Sequence, residues 1–179
     1  MNVTVYCASS FGHDPAFAEE ARALGAWIGA NRHTLIYGGT NVGLMGLIAG
    51  TALDAGGHVV GVLPDILADR EPPSGRLSEF FRVETMAQRK AKMIELGEVF
   101  VAMPGGPGTL EELSEIMSLV KLGTPPGYLY LLNVNGYYDE LIASFERMLE
   151  HGFMTSEMRA YLKVARSTGE LVRMLETHG

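Results

Sequence analysis

The sequence predicts an α/β protein, a Rossmann-like doubly wound parallel sheet in a single domain over residues 1–179. Three observations carry this. Short β-branched runs alternate with longer stretches of helical period, as strand–helix units of a parallel sheet do. The runs read as strands buried on both faces and end near Gly, Pro or Ser. The length of 179 residues suits one domain with a substantial core.

In chain order, NVTVYC (2–7) is the first expected strand and 14–31 the first helix. HTLIYGG (33–39) and a helix over 43–55 follow, then the strand GHVVGVLP (57–64). LPDILADREPPSGRLSEF (63–80) reads as the one long irregular segment, a connection length that is often functional and as often a plain surface excursion. A helix over 85–97 is marked by Thr85 and Gln88 as a capping box and by Met86, Met93 and Ile94 as its buried face. EVFVAMPGG (98–106) is a strand that opens into a helix over 108–122. The apolar stripe of that helix is Leu110, Leu113, Ile116, Met117 and Val120. YLYLLNV (128–134) and helices over 137–151 and 168–177 complete the set.

Hydrophobic content of 47% with 20% charged residues is that of a globular chain, not a disordered one. A formal charge of −7 argues against nucleic acid as a partner, because phosphate contacts need a clustered basic surface. No apolar run reaches the ~18 residues expected of a membrane helix. MNVTVYCASS lacks the basic and apolar parts of a signal peptide. The single cysteine, Cys7, fits a reducing compartment, so a cytoplasmic location is expected, with Cys7 a packed thiol. The five histidines have no metal-ligand spacing, so no metal is expected.

Ligands of open α/β sheets bind beyond the carboxyl ends of the strands. Two of the loops there, YGGTNVGLMG (37–46) and MPGGPGT (103–109), are Gly-rich and open directly into helices. The first fits a dinucleotide fingerprint poorly: Thr40 takes the place of the second glycine, and GGHVVG stands where a ribose-binding acid is expected. Neither loop carries the Lys-Ser/Thr ending of a triphosphate P-loop. A helix N-terminus with Gly105, Gly106 and Gly108 beside it still suits a phosphate monoester, since free N–H groups and a partial positive charge meet there. Each loop alone is equally well read as a tight strand-to-helix turn.

Thr109 and Glu112 match a second capping box. On the helical wheel Glu111 and Glu115 lie opposite the apolar stripe, in solvent, whereas Glu112 flanks it at the mouth of the Gly loop. In the preceding helix Lys90 falls on the buried stripe beside Arg89. Two cations early in a helix oppose its dipole, so an anionic partner is expected for them. Ser9 and Ser10 end the first strand and can donate to a ligand.

PGGPGTLEE (104–112), QRK (88–90) and YGGTNVGLMG (37–46) together resemble the Lonely Guy family, the cytokinin-activating nucleoside 5′-monophosphate phosphoribohydrolases. The family motif PGGxGTxxE is matched by Pro104, Gly105, Gly106, Gly108, Thr109 and Glu112, and the resemblance runs over about residues 2–150. It implies hydrolysis of an N-glycosidic bond with no cofactor. It implies Arg89 and Glu112 as the catalytic pair and Lys90 as a substrate contact. Gly105, Gly106, Pro107, Gly108 and Thr109 are then expected around the phosphate, with Gly38, Gly39 and Ser10 lining the same cleft. An acid after the third strand is also implied; Asp65, Asp69 and Glu71 compete for it, and Glu71 is preferred. The resemblance also implies a homodimer whose active site is completed across the interface. Thr40 replaces a usual glycine, which bears on substrate range. Molybdenum-cofactor carriers, which are similar in fold and Gly-rich loops, are the alternative.

Overall fold

The computed structural model describes residues 1–68 and 75–177. Its frame is one sheet of seven parallel strands: β1 (Asn2–Tyr6), β2 (Thr34–Tyr37), β3 (His58–Pro64), β4 (Glu79–Val83), β5 (Val99–Ala102), β6 (Tyr128–Leu132) and β7 (Leu162–Ala165). The spatial order is β4-β3-β2-β1-β5-β6-β7. The chain steps outward from β1 to β4, then crosses back to place β5 beside β1, with Val3 opposite both Leu35 and Val99. The order reverses between β1 and β5, and a ligand crevice belongs at such a point.

Helices cover both faces. The connecting helices are α1 (Pro15–Ala30), α2 (Gly43–Asp54), α3 (Asp65–Ala68), α4 (Met86–Leu96), α5 (Pro107–Lys121), α6 (Asp139–Glu150), α7 (Ser156–Tyr161) and α8 (Thr168–Glu176). One core layer packs Val3, Val5, Leu35, Tyr37 and Val101 against α1, α2 and α8. The other packs Tyr6, Ile36, Val62, Phe100 and Leu131 against α4, α5, α6 and α7. Alternate strand residues thus serve opposite faces, which is why these strands are apolar at successive positions.

Helix starts are set locally. Asp14 accepts from the N–H of Ala16 at 2.9 Å with Pro15 as the first helical residue. Thr85 and Gln88 form the reciprocal box expected of them. Thr4 Oγ1 donates to the Met93 carbonyl at 3.2 Å, seating α4 on β1.

Two strands escape the sequence reading. β4 begins at the end of the segment expected to be irregular and runs on into residues assigned no element, and β7 lies in a stretch assigned none. Both are edge strands of five and four residues that are only partly buried, so neither shows the continuous apolar run of the central five. The expected strand over 98–106 leaves the sheet at Ala102. α5 begins at Pro107 with Gly106 as its N-cap. Thr109 therefore lies inside the first turn, and the second capping box does not form.

Candidate functional site

A cleft of about 320 Å³ opens at the carboxyl end of the sheet where the strand order reverses. The turn after β1 supplies one wall with Ala8, Ser9 and Ser10; the start of α5 supplies the opposite wall with Gly106 to Thr109. Arg89 and Lys90 from α4 and Glu111 and Glu112 from α5 close the side between them. Two Gly-rich loops thus meet one crevice, but they do different jobs.

In the second loop, Gly106 provides no side-chain cap, and the first helical bond runs from the N–H of Leu110 to the carbonyl of Gly106 at 3.2 Å. The N–H groups of Gly108 and Thr109 precede that bond, at the cleft wall, where the helix dipole is positive. A Cβ added at Gly106 or Gly108 would meet nothing within 4 Å. At Gly105 it would fall 2.1 Å from Thr109 Oγ1, so that glycine admits the threonine. Tyr137 Oη donates to the Gly105 carbonyl and Tyr138 Oη to the Met103 carbonyl, both at 2.7 Å, so two tyrosines hold the loop from the start of α6.

The first loop is filled by protein. A Cβ at Gly38 would sit 1.8 Å from an Arg89 guanidinium nitrogen and 2.7 Å from Met45 Sδ. Gly43, at φ +56°, presses on the backbone of Ser9 and Ser10, and the N–H of Leu44 reaches the Ser10 carbonyl at 3.3 Å. The structure thus places Gly38 and Gly39 behind Arg89 and β3 rather than on the cleft wall. Thr40 is fully buried, with its hydroxyl 3.8 Å from Met45 Sδ. Its side chain packs behind the cleft, not in it.

Arg89 and Glu112 face each other across the side of the cleft, 3.8 Å apart at their nearest N and O atoms, and each side chain is 8% exposed. That separation is an ion pair but too long for a hydrogen bond. Arg89 instead donates Nε–H to the Val62 carbonyl at 3.2 Å, with Nη2 turned to Met45 Sδ and Nη1 left facing the carboxylate. Burial pushes the Glu112 carboxyl up to about 7, and Arg89, which pulls the other way, does not offset it. A carboxyl half-ionised near neutral pH, next to a permanent cation, is a group able to change charge during a reaction.

Lys90 lines the cleft, yet its ammonium is bonded to Glu111 at 2.8 Å and ion-paired to Glu115 at 3.1 Å. These bonds raise its pKa. On α4 it is Arg89 that lies buried with Met93, whereas Lys90 and Met86 are half-buried, reversing the wheel reading. On α5 Glu111 is exposed as expected, but Glu115 is half-buried against Lys90 and Leu110 is exposed. The anionic partners expected for the two cations are these three carboxylates. Ser10 sits at the junction of the cleft and a smaller recess lined by Phe17 and Tyr137, and Gly105 borders that recess. Cys7 is buried at the cleft floor, and burial pushes its thiol up. Asp65 pairs with Arg82 instead of facing a ligand; Asp69 and Glu71 lie outside the described residues. The sequence reading missed Met45, Tyr137 and Tyr138. The two tyrosines had a legible signal, adjacent phenols in a loop that follows a strand. Among the described residues no three His, Cys, Asp or Glu side chains gather closely enough to hold a metal ion, and no helix is long and apolar enough to cross a membrane.

A parallel sheet with a glycine-walled helix N-terminus and a buried Arg–Glu pair at its switch point defines a Rossmann-like α/β protein with a candidate small-molecule site there. The sequence profile of the family described as "Possible lysine decarboxylase" matches residues 45–175. A cytokinin riboside 5′-monophosphate phosphoribohydrolase of Arabidopsis thaliana is 40% identical over 98% of this chain and 81% of its own length. A second from the same plant is 39% identical over 98% and 83%. The chain belongs to this family, the Lonely Guy proteins. In fold it is also similar to a molybdenum cofactor binding protein of Rippkaea orientalis, with TM-score 0.75, 21% identity and coverage of 99% and 96% of the two chains. A Moco carrier protein of Chlamydomonas reinhardtii gives TM-score 0.73, 19% identity and coverage of 98% and 95%.

Proposed function

We propose that the chain hydrolyses the N-glycosidic bond of nucleoside 5′-monophosphates, cytokinin ribotides or AMP, releasing the free base and ribose 5-phosphate. The observation that carries this is the buried Arg89–Glu112 pair beside the open N-terminus of α5. The phosphate sits on Gly106, Gly108 and Thr109, whose N–H groups and helix dipole suit an anion. The ribose then lies over Glu112. Cleavage passes through an oxocarbenium-like state, and an ionised Glu112 stabilises the positive charge growing on the sugar or orients the attacking water. Arg89 holds the substrate and assists the departing base. No cofactor is invoked. Lys90, tied to two carboxylates, is the opposite of a Schiff-base lysine, which needs a lowered pKa, so the chemistry in the profile's description finds no support at this cleft.

The active unit is a homodimer with the site completed across its interface, a reading that the exposed Leu110 and Leu122 of the α5 region support. A cytoplasmic location accords with the single buried Cys7. The test is incubation with AMP and with isopentenyladenosine monophosphate, followed by assay of free base. Glu112→Gln is expected to lower kcat by about 10³-fold, the range of an electrostatic or acid–base group. The wild-type rate should rise with pH through about 7, because the carboxylate is the working form and burial holds its pKa there. Near-wild-type release by Glu112→Gln sinks the assignment. Binding of the nucleotide with no base released points to a carrier instead.

A further inference from the structure

The cleft wall between α4 and α5 holds three carboxylates, Glu111, Glu112 and Glu115, against two cations, Arg89 and Lys90. Arg89 stands before Glu112; Lys90, the next residue on α4, takes the two carboxylates that flank Glu112 on α5. Its side chain is 15% exposed, and both contacts are made by one ammonium group, at 2.8 and 3.1 Å. One N–H is committed to Glu111 by a hydrogen bond, and the ammonium charge is shared with Glu115 as an ion pair. Although Lys90 lines the cleft, its ammonium is held to the α5 carboxylates.

We propose that Lys90 is a positioning residue for Glu112: by neutralising Glu111 and Glu115 it locks α4 to α5 with Arg89 opposite Glu112, and shields Glu112 from the two neighbouring negative charges. The inference rests on the phosphoribohydrolase reading for its kinetic consequence but not for its geometry. The groups that face Glu112 are Arg89 and Lys90 from α4, Glu111 and Glu115 from its own helix, Tyr6 and Cys7 from β1 and its end, and Tyr138 at the start of α6. Burial keeps the two phenols and the thiol neutral through the working pH range. On top of burial, which raises Glu112 most, these four charged groups set the balance there. Removing the lysine leaves Glu111 and Glu115 uncompensated, and both favour the protonated form of Glu112.

The test compares wild type, Lys90→Met, and the triple variant Lys90→Met/Glu111→Gln/Glu115→Gln, each assayed for base release from AMP across pH. Lys90→Met is expected to lower kcat at pH 7 by about tenfold with KM within about twofold, and to move the acid limb of the rate profile to higher pH. The triple variant, which loses the carboxylates with the lysine, is expected to recover most of kcat and bring the acid limb back. A KM raised tenfold or more in both variants overturns the proposal and makes Lys90 a substrate ligand. A kcat loss with an unmoved acid limb and no recovery in the triple variant also overturns it, since a clamp acting on packing alone behaves that way. A ¹³C NMR titration of the Glu112 carboxyl, assigned by its loss in Glu112→Gln, reads the same shift without turnover. If wild type releases no base, the hydrolase reading fails, and this titration still decides the role of Lys90: a midpoint unchanged between wild type and Lys90→Met refutes it.

Discussion

The two Gly-rich loops look interchangeable as text, YGGTNVG against PGGPGT, and in the fold they are opposites. In the first, the space beside the glycines is taken by protein: an Arg89 nitrogen at Gly38 and the Ser9–Ser10 backbone at Gly43. In the second, Gly106 and Gly108 border open cleft with nothing within 4 Å of an added Cβ. A glycine can be small because the protein needs the room or because a ligand does. Only the surroundings tell the two apart, and here they divide the labour. The first loop packs against Arg89 beside Glu112, and the second leaves a helix N-terminus without a side-chain cap, where the proposed function puts the phosphate.

The largest expected effect comes from breaking the first arrangement. Gly38→Ala puts a methyl 1.8 Å from the Arg89 guanidinium and 2.7 Å from Met45 Sδ, so the guanidinium must leave its place beside Glu112 and Met45. Overpacking of this kind costs about 1–3 kcal/mol of stability. Loss of Arg89 from its place is expected to lower kcat by about 10²-fold, because a misplacement of 1 Å has effects of that order. The fall in kcat should exceed any rise in KM, and thermal unfolding should come at a lower temperature. A variant with wild-type kcat would show that Arg89 is not aimed by this glycine.

Gly108→Ala sharpens the contrast because stability and activity should move in opposite directions. Gly108 lies in the first turn of α5, and alanine is favoured over glycine in a helix by about 0.5–1 kcal/mol. The variant is therefore expected to melt slightly higher than wild type. Its methyl projects into the room a phosphate would occupy, so KM for AMP is expected to rise about tenfold with kcat little changed. Binding of adenosine, which lacks the phosphate, should be unaffected. A destabilised Gly108→Ala, or one whose KM is unchanged, would make this loop a packing turn like the first.

Much of this was readable before the fold was known, and the remainder divides along physical lines. The five central strands are legible because strands buried on both faces cannot hide their apolar runs. β4 and β7 are not, since half-exposed edge strands of four or five residues carry little pattern. Glu112 is singled out by the wheel on α5, but its suggested capping partner fails because Pro107 starts the helix two residues before Thr109. The order of Arg89 and Lys90 is the clearest limit. Adjacent on α4, they differ by 100° in direction, and which one is buried depends on Val62, Met45 and Gly38, contributed by a strand, a helix and a loop distant in sequence. The partners of Lys90, Glu111 and Glu115, lie more than twenty residues away, where no local rule reaches.

The smallest effect tests how the second loop is held open. Tyr137 Oη donates to the Gly105 carbonyl at 2.7 Å while the residue is half exposed, and its ring meets Phe17 edge-on at 5.3 Å. Tyr137→Phe keeps the ring contact and deletes one hydrogen bond, so the stability loss should be near the net value of such a bond, about 1 kcal/mol. The freed carbonyl can turn to water, which holds the loss down. If the bond also fixes the glycine turn, the loop will sample other conformations. KM for AMP should then rise by about two- to threefold, the order that follows from less than 1 kcal/mol of lost preorganisation. The corresponding change on the first loop is Thr40→Ser, which removes a buried methyl, keeps the hydroxyl that faces Met45 and touches no residue of the cleft wall. It should cost comparable stability and leave KM unmoved. The two conservative changes together thus separate a loop that binds from a loop that packs.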